Sequence, residues 1–197
     1  GFTVREEGNN VVVTANYKLG CFDQAVWTIA PDGTAAIDFT YNFSGVVDLM
    51  GVMFDYPEDK VLSKRWVGDG PYRVWQNRLH GPQLGVWENE YNDPIPAESF
   101  TYPEFKGYFA NVQWMTLETQ EGMISICNRT PQNYVGVYQP RDGRDGLLYT
   151  FPVTGISLMK VIPPVRNKVN TTDLIGPSSQ AFWADGEYGG GITLKFE

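Results

Sequence analysis

Two apolar segments, 24–30 and 34–43, joined by Pro31-Asp32-Gly33, narrow the fold more than any other part of this chain. Segment 34–43 (TAAIDFTYNF) places Ile37, Phe39, Tyr41 and Phe43 at every second position. Side chains alternate between the two faces of a strand, so all four fall on one face. Proline followed by glycine suits a tight turn, and the pair predicts a β-hairpin. The same reasoning predicts strands over 11–17, 46–54, 83–91 and 192–196. It also predicts a second hairpin, 108–118 with 123–127 across the polar turn 119–122, and a short alternating run at 134–138. Residues 139–147 predict a polar loop. Residues 162–191, broken by Pro163-Pro164, Gly176-Pro177 and Gly189-Gly190-Gly191, predict a largely irregular region. Amphipathic helical stripes, βαβ alternation and repeats are missing, which leaves an antiparallel sandwich as the expected architecture.

The 197 residues fit one large β domain, and 14% aromatic residues with 21 glycines and 13 prolines suit strands and turns rather than helices. Fifteen Lys and Arg against 23 Asp and Glu give a net charge of −8, which disfavours nucleic acid or an anionic membrane as partner. No run approaches the ~20 apolar residues of a membrane-spanning helix. Cys21 and Cys127 lack neighbouring ligands, and His80 is the one histidine, so no metal or other cofactor is expected. Two free thiols or a single bridge are both compatible with the spacing.

Residues 65–78, RWVGDGPYRVWQNR, carry the strongest functional signal. Gly68, Gly70 and Pro71 predict a tight turn built on backbone shape, in which a glycine at positive φ would not tolerate valine. Behind it stand two aromatics (Tyr72, Trp75), two guanidiniums (Arg73, Arg78) and two amides (Gln76, Asn77). Flat apolar faces beside fork-shaped donors suit the rings and hydroxyls of a sugar. The alternative is a structural turn whose arginines tie down adjacent loops.

The stretch resembles the W-x-G-x-G-P-x-E-N-Y-x-D-R signature in the C-terminal domain of family 2 glycoside hydrolases of the β-galactosidase type. Trp66, Gly68, Gly70, Pro71 and Arg78 fall on the pattern, Trp75 replaces its tyrosine, and Arg73, Val74 and Asn77 depart from it. Residues 48–59 (DLMGVMFDYPED) are similar to the family's preceding strand, and 102–118, including Glu104, to its following P-x-E-N-G segment. The resemblance implies a large antiparallel two-sheet supersandwich of the galactose-mutarotase-like kind, with long irregular loops. It implies a single domain, 1–197, forming the C-terminal part of a larger enzyme that is periplasmic or secreted in bacteria. The catalytic carboxylates of that family stand in a (β/α)₈ barrel, so this chain is expected to lack them and to shape the barrel's carbohydrate site.

The expected partners are therefore a galactoside-like carbohydrate and the barrel domain. Candidate sugar contacts are Trp75, Arg78, Glu104, Trp183 and Asp185. Trp183 is similar by position to a tryptophan that such domains carry towards the barrel, which makes 176–191 an expected inter-domain arm. Its alternative is that Phe182 and Trp183 fold back onto the domain's own core. A self-standing carbohydrate-binding module and a structural spacer are the other readings. Epimerase chemistry, suggested by the fold, would have only His80 to offer where two tuned acid–base groups are needed.

Overall fold

The computed structural model describes residues 1–92, 106–138, 155–164 and 181–197. Glu104, the 139–147 loop and residues 176–180 lie outside them. The described residues form two antiparallel sheets and no α-helix, an all-β sandwich.

The larger sheet has nine strands, in the order β1-β2-β3-β4-β13-β10-β9-β6-β7. In chain order these are β1 Phe2–Glu7, β2 Asn10–Asn16, β3 Phe22–Ile29, β4 Ala35–Val47, β6 Val61–Gly70, β7 Gln83–Asn89, β9 Trp114–Thr119, β10 Gly122–Asn128 and β13 Phe182–Phe196. The smaller sheet, β5-β12-β11-β8, comprises β5 Met50–Phe54, β8 Tyr108–Phe109, β11 Tyr134–Gly136 and β12 Ile156–Val161.

Both expected hairpins form. At the β3–β4 turn Gly33 takes φ +83°, and the Asp32 carboxylate accepts the Thr34 N–H at 3.0 Å. That bond holds the exposed Asp32 carboxyl below its ordinary pKa. At the β9–β10 turn the Thr119 hydroxyl donates to the Gly122 carbonyl and accepts the Glu121 N–H. Ile37, Phe39 and Tyr41 enter the main core together, as their alternation requires.

Four expectations are corrected. The run 46–54 is two strands in different sheets, because the chain leaves the large sheet after Val47 and re-enters the small one at Met50. Segment 108–118 likewise divides into β8 and β9. Residues 182–191 are not irregular but the first part of β13, paired with β4 from Phe182↔Val47 to Leu194↔Ala35. Its three glycines serve close packing: a Cβ on Gly189 would stand 2.6 Å from the Phe39 carbonyl oxygen, and one on Gly190 2.8 Å from the Phe39 ring. Gly68 and Gly70, finally, are not a turn. They are strand residues of β6, opposite Gly85 and Gln83 of β7, and neither has positive φ.

What those two glycines provide is room. A Cβ on Gly68 would meet the Val112 Cα at 2.9 Å, and one on Gly70 would enter the Trp87 ring at 2.5 Å. The turn begins at Pro71, after a cis Gly70–Pro71 bond. The chain then leaves the large sheet and pairs Val74 with Tyr108 of the small one. The 65–78 stretch is therefore the junction between the sheets.

The small sheet is apolar on both faces. Phe109, Val135 and Leu158 enter the main core, while Tyr108 and Met159 join Val74, Trp75 and Ile162 in a second cluster on the other side. A sheet covered on both faces needs strands buried at successive positions, and β12 (ISLMKV) is buried at all but Lys160.

Burial pushes the Tyr41 phenol up from 10.0 to about 12, and raises Tyr108 and Tyr134 in the same direction. Below the unfolded pKa both states hold the proton and no stability is lost. Above it the unfolded chain ionises first, so stability is expected to fall as pH rises, through about 12 for Tyr41. Urea midpoints that decline steadily between about pH 9 and about pH 11 would show it. A flat profile would mean that these tyrosines ionise as freely in the folded chain as in the unfolded one.

Candidate functional site

The structure separates the five sequence candidates. Trp75 is 2% exposed, set edge-on against Tyr108 with ring centroids 5.6 Å apart, and its indole N–H donates to the Lys106 carbonyl at 2.6 Å. No face of that ring is left for a sugar, which corrects its candidacy: Trp75 is core. Arg78 pairs with Trp75 through the backbone, yet its own side chain is exposed. Glu104 lies outside the described residues. Trp183 and Asp185 come together, two positions apart on β13.

Their setting follows from the sheet. Pairing of β4 with β3 ends at Tyr41, and pairing of β13 with β10 begins at Ile192. Beyond those points residues 42–47 and 182–187 form a two-stranded ribbon that extends past the other strands. Ala184, between the two candidates, is fully buried in the main core. Alternation therefore places Trp183, Asp185 and Glu187 on the opposite, outer face.

Trp183 is 68% exposed and stands opposite Val46. The alternative in which it folds into the core does not hold. Asp185 stands opposite Ser44 and accepts its hydroxyl at 3.0 Å, while Glu187 stands opposite Asn42. The Tyr188 hydroxyl accepts the Asp185 N–H at 2.9 Å, which ties the carboxylate's backbone to the inner face. The result is one indole face beside two carboxylates, an amide and a hydroxyl. Such a set can stack on a sugar's C–H face and accept or donate to its hydroxyls.

Two further carboxylates are engaged away from the ribbon. Glu58 forms an ion pair with the buried Lys106, and Asp69 accepts the Asn111 amide at 2.7 Å. Cys21 and Cys127 are both free and exposed. Among the described residues no three His, Cys, Asp or Glu side chains converge in a way that could hold a metal ion.

Sequence reasoning missed two features. Lys64 is buried, donates to the Tyr91 carbonyl at 2.9 Å and the Asn92 amide oxygen at 3.2 Å, and lies 4.9 Å over the Tyr138 ring. The available signal was parity, since Lys64 shares a strand face with Trp66. The second is an apolar cleft of about 280 Å³ under the ribbon, where β4 passes over to β5. It depends on which strands meet there, and no local pattern announces it. No protein-family model matches this chain, and no curated protein matches it.

Proposed function

We propose that this chain is a non-catalytic β-sandwich that contacts carbohydrate through the Trp183 end of the ribbon, as the accessory domain of a β-galactosidase-like glycoside hydrolase. The observation that carries this reading is the placement of Trp183. A large indole is held on a paired strand, with its inner neighbour anchored in the core and its own ring in solvent. Leaving such a ring in water costs about 25 cal/mol per Å² of apolar area, a cost a bound partner would remove. Asp185, Ser44, Glu187 and Asn42 supply hydroxyl-directed polar groups on the same face. In this reading the catalytic acid and nucleophile belong to a barrel domain, and the ribbon completes the rim of its sugar site. Val46, 60% exposed beside Trp183, would then face that domain.

A second reading, a self-standing carbohydrate-binding module, is favoured by the polar groups that flank the ring within the sheet. Both are tested by Trp183→Ala. In a full-length enzyme the substitution is expected to lower kcat/KM by about 10- to 100-fold, roughly 1–3 kcal/mol of lost contact, with the melting temperature nearly unchanged. Titration of the isolated chain with galactose and short galactosides, read by tryptophan fluorescence, separates the two. A response abolished by Trp183→Ala selects the self-standing module, and silence with the kinetic loss selects the accessory domain. Unchanged kinetics, no binding and a large fall in melting temperature would assign Trp183 to stability and end both.

A further inference from the structure

The cleft under the ribbon is built from Phe22 of β3, Tyr41, Phe43 and Val47 of β4, and Leu49 and Met53 beyond them, with Cys21 at its rim. Its lining is apolar apart from one phenol. Tyr41 is 4% exposed and lines the cleft, and its hydroxyl makes no hydrogen bond to a described residue. The hydroxyl is not sealed from solvent, so it is free to donate to an acceptor that enters the cleft. Around it the rings form a series. Phe22 stacks on Phe39 at 6.4 Å, Phe39 on Tyr41 at 6.3 Å, and Tyr41 on Tyr188 at 5.8 Å. Such surroundings favour a further flat ring over a flexible chain.

We infer that this cleft binds a small aromatic molecule carrying one hydrogen-bond acceptor, its ring among Phe22, Phe43 and Val47 and its acceptor on the Tyr41 hydroxyl. The volume sits near the lower bound of small-molecule pockets, which run from about 300 Å³. It admits one or two fused rings and excludes an oligosaccharide or a peptide. Burial keeps the Tyr41 phenol protonated, so it remains a donor at every working pH. The inference is independent of the sugar contact, because Tyr41 points to the inner face of β4 and Trp183 to the outer face of β13.

The test uses the full chain in a Cys127→Ser background, with 2-acetonaphthone and its carbonyl-free counterpart 2-ethylnaphthalene as probes. Binding is followed by ligand-observed NMR and by the rate at which iodoacetamide alkylates Cys21. The ketone is expected to bind saturably, about fivefold tighter than the hydrocarbon, and to slow the alkylation. Tyr41→Phe keeps the ring and is expected to erase the preference, while Val47→Trp fills the cleft and abolishes both ligands. Should Val47→Trp fail to fold, the Tyr41→Phe comparison still decides. Absence of saturable binding, equal affinity for the two probes, or an unchanged preference in Tyr41→Phe would overturn the inference.

Discussion

Trp75→Ala is expected to destabilise the domain by about 4 kcal/mol, the cost of emptying a fully enclosed aromatic site. Two contributions add. The indole fills the second cluster between Val74, Tyr108, Met159 and Ile162, so its removal opens a cavity over the outer face of the small sheet. Its N–H also satisfies the Lys106 carbonyl, which would be left buried without that donor. Trp75→Phe keeps most of the packing and loses the hydrogen bond, so about 1–2 kcal/mol is expected from it. Urea melts measure both. The decisive comparison is with sugar binding: Trp75→Ala at a temperature where it remains folded should leave any galactoside response intact, whereas Trp183→Ala should remove the response and leave the melt intact. A Trp75 variant that melts normally would contradict the core assignment.

The second large effect concerns Gly68. Gly68→Ala is expected to cost about 3 kcal/mol, although the new methyl group is the smallest possible addition. Its Cβ would press on the Val112 Cα at 2.9 Å and on the Ala110 and Asn111 carbonyl oxygens at 3.1 and 3.2 Å. Those are backbone atoms, which cannot rotate aside. Asp69 donates its N–H to the Ala110 carbonyl at 2.9 Å, so the two segments are also held together by a ladder bond. The control is Gly33→Ala in the β3–β4 turn, where φ is +83° but nothing lies within 4 Å of a new Cβ. About 1 kcal/mol is expected there, from backbone strain alone. The ordering is the test. A Gly33 cost above the Gly68 cost would mean that conformation, not proximity, governs the glycines of this fold.

The same contrast marks how far the sequence reaches. Strands β2, β3, β4, β9 and β10 and both hairpin turns are legible in the chain, because alternation and turn chemistry are local: each residue's role depends on neighbours two to four positions away. Ile37, Phe39 and Tyr41 announce their inward face without reference to anything else. The glycines do not. The same residue type serves either a positive φ or a close approach, and the choice at Gly68, Gly70, Gly189 and Gly190 is made by Val112, Trp87 and Phe39, residues from other strands.

Tryptophans divide for the same reason. Trp75 and Trp183 both stand beside glycine-rich segments, and nothing within several residues of either says which is core. Trp75 is buried because the junction between the sheets folds back over the outer face of the small sheet, which needs a cover. Trp183 is exposed because its strand neighbour Ala184 takes the inner face, and no described strand lies over the ribbon beyond the last residues that β3 and β10 reach. The sequence thus determined the class of fold and the strands that build it. Only the tertiary structure decided which aromatic meets solvent, since that depends on which faces the two sheets leave uncovered.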